Sequence, residues 1–302
     1  MTDPLSDVLA MLHARSEMST GLRADGDWSV HVAPFTGLKF NVILRGTAWL
    51  EVDGVAPLHL LEGDCFLLAG GLGFTIASDL ALPPAPAHAI FAQAVDGMAQ
   101  IGAKADVEIL AGRMTLAPPL APLLSASLPP VTVIPSGSVQ ADNVRWLLQR
   151  LQSERAGNEP ASEMLANRLA EMLFVELMRA AMKAPDVGGQ AVGWLGALSH
   201  PRLGRALKAL HAESARAWTV AQLAEVAHMS RSGFAASFKQ AVGVTPLAYL
   251  TRWRLQQAAH ALRGRATVAV AASDAGFSSE SAFGHAFRRV FGRSPRKYLQ
   301  AE

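Results

Sequence analysis

The sequence predicts an α+β chain: short strands folded into a small β-barrel, then a two-helix connector, then an all-α C-terminal domain with two helix-turn-helix motifs. Three observations lead there. The apolar period is near two over the first third and near 3.6 from residue 138 onward. A spaced pattern of Phe, Gly, Pro and Tyr occurs twice near the C-terminus, and charge divides unevenly between the two ends.

Composition sets the outer bounds. With 302 residues, half of them hydrophobic and 17% charged, the chain can bury two ordinary cores and is not disordered. The net charge of +2 conceals an asymmetry. From Trp194 onward there are 15 Lys+Arg against 5 Asp+Glu, and the rest holds 12 against 20. A basic third on an acidic body suits a polyanion, because neutralising phosphates dominates nucleic-acid affinity. The single cysteine, Cys65, rules out an intramolecular disulfide, fits a reducing cytoplasm and reads as a small buried hydrophobe. No cationic N-terminus precedes an apolar run, and every apolar stretch is broken by charge or glycine. The expectation is therefore a cytoplasmic chain without a membrane segment.

Taken in order, Leu5, Val8, Leu9 and Leu12 predict a short helix before Gly21. Residues 28–32, 40–46, 47–54, 57–60 and 65–68 read as strands, punctuated by Gly46, Asp53-Gly54 and Glu62-Gly63-Asp64. Further strands are expected at 90–91, 99–101, 107–110 and 113–116, with a proline-rich loop at 78–89 and an extended strap at 117–137. Val144, Leu147, Leu148 and Leu151 then mark one helix, and Met164 to Met178 a second, longer one. The second is apolar on more than one face, which predicts a dimer surface. The expected domains are 1–135, a connector at 138–184, a linker at 185–193 and a helical domain at 195–302.

The helical domain carries the repeat. Phe234, Phe238, Gly243, Pro246 and Tyr249 recur 49 residues later as Phe283, Phe287, Gly292, Pro295 and Tyr298. Before the turn, Thr219, Val220 and Ala224 recur 48 residues later as Thr267, Val268 and Ala272, so the second turn is one residue longer. Thr219 and Gln222 spell a capping box, Ser230 caps the second helix of the first motif, and the second helix of the other motif begins near Ser279. The motifs span about 219–242 and 267–291, joined by a long helix from Pro246. With the phenylalanines inward, Arg231, Ser232, Ala235, Ala236 and Lys239 form the outer arc of the first recognition helix. Glu280, Ser281, Gly284, His285, Arg288 and Arg289 form that of the second. Arg231, Lys239, Arg288 and Arg289 suit phosphates, whereas Glu280 can accept from a cytosine amino group.

The run from Gly276-Phe277-Ser278-Ser279 through Phe283, Phe287, Phe291-Gly292, Ser294-Pro295 and Tyr298 resembles the signature of the AraC/XylS family of bacterial transcription regulators. The resemblance implies a DNA-binding unit over about 195–300, with Ser232, Ala235 and Ala236 at base-reading positions of the first helix. His285 and Leu299 stand where that family usually has Arg. The run 40–46, the Asp53-Gly54 hairpin, the Leu61–Asp64 turn and the Leu-Pro-Pro stretch near 128–130 resemble a cupin-type sensor, so the barrel is expected to be cupin-like. Cupin enzymes converge several His and Glu ligands on a metal. Here Asn41 and Phe74 stand at the ligand places, and His31, His59 and His88 lack ligand spacing.

Double-stranded DNA, a small-molecule effector, a second copy of the chain and RNA polymerase are the implied partners. No catalytic residue, metal or cofactor is expected. The rival readings are a ligand-independent regulator with a degenerate barrel and a DNA-tethered cupin enzyme.

Overall fold

The computed structural model describes residues 3–11, 15–115, 124, 128–157, 159–183 and 193–299, and these fall into two compact units. A β-rich unit comprises Ala14–Leu116 and Leu128–Pro185, and a helical unit comprises Met1–His13, Ala117–Ser127 and Asp186–Glu302.

The β-rich unit is built on two sheets. Strands β1 (Arg15–Ala24), β3 (Leu38–Arg45), β6 (Cys65–Ala69), β9 (Met98–Ile101), β10 (Val107–Thr115) and β11 (Val131–Ile134) form one sheet in the order β11-β6-β3-β10-β1-β9. Strands β2 (Ser29–Val32), β4 (Ala48–Val52), β5 (Leu58–Leu60), β7 (Phe74–Ala77) and β8 (Ala85–Pro86) form the other, in the order β5-β4-β7-β2-β8. Inner faces meet in one core that includes Ile43, Phe66 and Ile109 from the first sheet and Leu50, Phe74 and Ile76 from the second. β4 alternates cleanly: Ala48, Leu50 and Val52 are buried, while Trp49 and Glu51 are exposed. β3 does not, because Leu38, Phe40 and Val42 are buried on its other face as well.

That other face is covered by the connector helices α3 (Val139–Ala156) and α4 (Ser162–Lys183), which pack on β6, β1 and β11 within the same unit. The Leu61–Asp64 turn fixes α3. Buried Asp64 accepts from the Leu61 and Ser136 backbone N–H at 2.8 and 2.7 Å. Arg145 of α3 donates to the Gly63 carbonyl at 3.3 Å, and the Cys65 thiol faces the Ala141 carbonyl at 3.6 Å. Burial raises that thiol's pKa to about 12, so Cys65 stays protonated in place.

Several expectations need correction. The short helix expected before Gly21 is α1 (Pro4–Met11), with Leu12 outside the described residues, and Arg15–Ala24, for which no strand is expected, is one. Ile90 and Phe91 belong to a short helix, α2 (Ala87–Phe91), not to a strand. Residues 78–89 are not all loop, since β8 and the start of α2 lie there. The expected strands 107–110 and 113–116 are one continuous strand, β10, whose Leu116 lies outside the described residues. Val131–Ile134, expected as strap, pairs with β6. For β1, β8, β10 and β11 pairing to a distant strand decided the outcome, and local spacing carries no record of it. Most of the expected linker lies outside the described residues, and Gly193 already opens a helix.

The helical unit contains α1, α5 (Gly193–Ser199), α6 (Leu203–Ala212), α7 (Val220–Val226), α8 (Arg231–Val242), α9 (Pro246–Arg263), α10 (Val268–Asp274), α11 (Glu280–Phe291) and α12 (Pro295–Leu299). Helix α1 packs on α6 and α9. Pro201 sits in the turn before α6.

Candidate nucleic-acid interface

Helices α7–α8 and α10–α11 are two helix-turn-helix motifs built by the same local rules. Thr219 caps α7 with a full capping box, and Thr267 caps α10 by accepting from the Val270 N–H. Each first helix ends in a left-handed residue, His228 at φ 52° and Gly276 at φ 71°. In both turns the next N–H reaches back five residues: Met229 donates to Ala224 at 2.9 Å and Phe277 to Ala272 at 3.0 Å. The recognition helices α8 and α11 open on Ser230 and Ser279, which accept from Gly233 and Ala282, both at 3.2 Å. They close on Gly243 at φ 80° and Gly292 at φ 74°.

The phenylalanine pairs are fully buried, which decides what the helices present. Phe234 and Phe238 of α8 and Phe283 and Phe287 of α11 all have 0% exposure. Burying one such side chain contributes about 1.5–3 kcal/mol. On α8, Arg231, Ser232, Ala236 and Lys239 are exposed and Ala235 is partly so. On α11, Glu280, Ser281, His285, Arg288 and Arg289 are exposed and Gly284 is partly so. Among the described residues, Arg231, Lys239, Arg288 and Arg289 form no ion pair, whereas Arg168, Arg179 and Arg216 each pair with a carboxylate on their own helix or turn.

Two structural supports were not anticipated from the sequence. Arg254 of α9 donates to the Ser214 and Arg216 carbonyls at 2.6 and 2.7 Å, tying the joining helix to the loop that leads into α7. Behind the first motif lies a buried polar chain. Trp194 Nε1–H donates to the Tyr249 hydroxyl at 2.8 Å, and that hydroxyl lies 2.7 Å from His211 Nε2. Because the Tyr249 oxygen already accepts from Trp194, its proton faces His211, so neutral His211 keeps its own proton on Nδ1. Asp7 Oδ2 of α1 lies 3.4 Å from that Nδ1. Burial pushes the His211 pKa down to about 4 against the opposing pull of Asp7, and burial raises that of Tyr249. The repeat at Tyr249 and Tyr298 was the one sequence signal for this chain, since a paired buried Tyr implies a partner for its hydroxyl.

In the β-rich unit, His31 lies 3.2 Å from the Thr75 hydroxyl, and His59 stacks against Trp49 with centroids 4.7 Å apart. No group of three or more His, Cys, Asp or Glu able to hold a metal occurs among the described residues. Nor is any helix among them long and apolar enough to cross a membrane.

A family model described as a cupin matches residues 3–183, and one described as a helix-turn-helix domain matches residues 223–301. A protein of Streptomyces antibioticus named as an AraC-like transcription regulator is 42% identical over 256 residues, which is 84% of each chain. One of the same description from Streptomyces lividans is also 42% identical, over 84% of this chain and 83% of that one. Among solved structures, the DNA-binding domain of AdpA in complex with a target DNA is 31% identical. It covers 33% of this chain and 91% of that one, with a TM-score of 0.32. A cupin domain followed by paired helix-turn-helix motifs, shared with such relatives over most of both chains, makes this chain a member of the AraC-like family of transcription regulators.

Proposed function

We propose that this regulator reads duplex DNA with α8 and α11 side by side, and that a small molecule held in the β-rich unit controls it. One observation carries the DNA reading. Both recognition helices are capped, stopped and fixed by buried Phe pairs, which leaves an outer arc of small, polar and unpaired cationic side chains. Ser232, Ala235, Ala236, Glu280, Ser281, Gly284 and His285 face the base edges. Arg231, Lys239, Arg288 and Arg289 take flanking phosphates. Gly284 supports a close approach. A Cβ there would meet nothing within 4 Å, so the fold has no need of glycine, yet glycine inside a helix costs about 0.5–1 kcal/mol relative to alanine. Helix α9 spans 18 residues, or about 27 Å at 1.5 Å per residue, a length compatible with recognition helices in successive major grooves.

The same reading takes the chain as a cytoplasmic homodimer. The connector helices leave Val139, Trp146, Met164 and Met172 more than half exposed, an apolar surface that a second copy would cover. Contact with RNA polymerase belongs to this reading too, and in-vitro transcription from a selected site reads it out.

The deciding experiment selects duplexes from a random pool with the full chain and follows affinity with salt. A steep fall is expected, because each phosphate contact releases counterions. Binding that ignores both salt and sequence would remove the proposal. Sedimentation with and without Trp146→Glu tests the dimer.

A further inference from the structure

The turn of the second helix-turn-helix motif lies against the loop that leads into the first, and Arg254 of α9 sits between them. Gly276, the left-handed residue of the α10–α11 turn, is packed closely there. A Cβ on it would stand 3.2 Å from the Ala215 carbonyl oxygen and 3.3 Å from Arg254 Cζ. Ala215 belongs to the loop between α6 and α7. The carbonyls on either side of it, those of Ser214 and Arg216, accept from Arg254 Nε at 2.6 Å and Nη2 at 2.7 Å. The Ser214 hydroxyl also donates to Gln257 Oε1, further along α9, at 2.8 Å.

The loop holds its own shape. Trp218 Nε1–H and the Arg216 N–H both donate to the Glu213 carbonyl, at 3.0 and 3.1 Å, and the Arg216 guanidinium lies 4.1 Å over the Trp218 ring. Backbone conformation alone does not call for glycine at 276, because His228 takes the same place in the first turn at φ 52°. What calls for it is the carbonyl and the guanidinium at contact distance. Arg254 spends its fork inside the unit: two nitrogens serve backbone carbonyls, and Nη1 lies 3.5 Å from the Gly276 Cβ position. Burial holds its pKa below the usual arginine value.

Helix α9 also packs on both motifs, with Tyr249 and Trp253 beside His211 and with Leu255, Ala259 and Leu262 in one cluster with Phe283 and Phe287. A single helix is a rod, and bending it moves one motif relative to the other. The contact of the loop with the second turn stands off the axis of that rod, so it closes a triangle and removes the freedom. We propose that Arg254 is a positioning residue that sets the separation and phase of α8 and α11, and thereby the spacing of the two DNA half-sites that one chain accepts. The proposal rests on the reading that both helices bind side by side. One base pair shifts a half-site by about 3.4 Å and about 35° of rotation, so half-site spacing reports this geometry directly.

The test uses the full chain and a duplex selected from a random pool, with one or two base pairs inserted or removed between the half-sites. The native chain, Arg254→Met, Arg254→Lys and Gly276→Asn are compared by affinity for each spacer, base preference within each half-site, and salt slope. Asn is used at 276 because it tolerates left-handed backbone. For the native chain, a change of one base pair should weaken binding about tenfold or more. Arg254→Met and Gly276→Asn open the contact from its two sides. Each should cut that penalty to about threefold or less, while base preference and salt slope stay as in the native chain. Arg254→Lys, with one ammonium for two carbonyls, should fall between.

The proposal is overturned if both variants keep the native spacing penalty. It is overturned equally if Arg254→Met keeps the penalty and flattens the salt slope, the mark of a phosphate contact, or blurs base preference in both half-sites, the mark of a general loss of fold. Gly276→Asn leaves Arg254 in place and decides the matter should Arg254→Met not fold. A native chain that selects only one half-site loses the side-by-side reading and this inference with it. Sharply spaced half-sites that the variants read like the native chain remove the inference alone.

Discussion

The two helix-turn-helix motifs share a plan and differ in how it is filled. In the first, the repeat tyrosine Tyr249 ends in a neutral buried chain with Trp194 and His211, and His211 stacks on Trp253 at 4.1 Å. In the second, Tyr298 meets a guanidinium from Arg263 and closes an aromatic cluster. Phe287 lies there 5.3 Å from Phe283, 4.2 Å from Phe291 and 5.4 Å from Tyr298. On the outer arc, Arg231 answers to Glu280, Ala235 to Gly284, Ala236 to His285 and Lys239 to Arg288, while Ser232 and Ser281 are the same residue. The scaffold is repeated and the reading surface is not. Two copies with one fold thus present different chemistry on their outer arcs.

The largest expected effect tests the shared scaffold. Phe238→Ala and Phe287→Ala should each destabilise the protein by about 3–5 kcal/mol, with Phe287→Ala at the upper end because it strips three aromatic contacts. Chemical denaturation measures both. Equal and small losses would mean that the motifs are held by something other than the paired phenylalanines.

Acidification should separate the motifs. His211 is held neutral in the fold, with its pKa depressed from 6.5 to about 4 chiefly by burial. The native state therefore binds fewer protons than the unfolded chain in this range. The stability that follows is fully present above pH 6.5 and is lost as pH falls toward 4, by roughly 2–3 kcal/mol. Hydrogen exchange should show α6, α7 and α8 loosening before α10 and α11. His211→Gln should flatten the slope, and an unchanged slope would assign the acid sensitivity elsewhere.

Base reading should be stronger in the second copy. Glu280→Ala is expected to relax preference at one or two base pairs, worth about 1–3 kcal/mol of discrimination. Arg288→Ala should instead weaken all sites alike and reduce the salt slope by about one unit. A panel of single-base variants distinguishes them. If Glu280→Ala moved every site equally and lowered the melting temperature, its contribution would be only that of a favourable charge at the helix start.

The smallest effect is the sharpest. Gly284→Ala makes the second copy match Ala235 of the first, and with open space around its Cβ it should raise stability by about 0.5–1 kcal/mol. It should also lower DNA affinity, since a methyl group then stands where close approach is needed. A gain in stability with unchanged affinity would show that the glycine has no part in DNA contact.

By itself the sequence determined the helical unit almost completely. Caps at Thr219, Ser230, Thr267 and Ser279, glycine stops at 243 and 292 and the buried Phe pairs are local signals, decided within one or two turns of chain. Tertiary structure alone decided the rest. It paired β1 with β10 and β11 with β6, turned Ile90 and Phe91 into helix, and brought Asp7 to His211 and Lys39 to Arg113. These partners stand far apart along the chain, and a strand's own residues fix its alternation but not its neighbour. Their meeting depends on which distant surface buries them, and spacing along one segment cannot encode that.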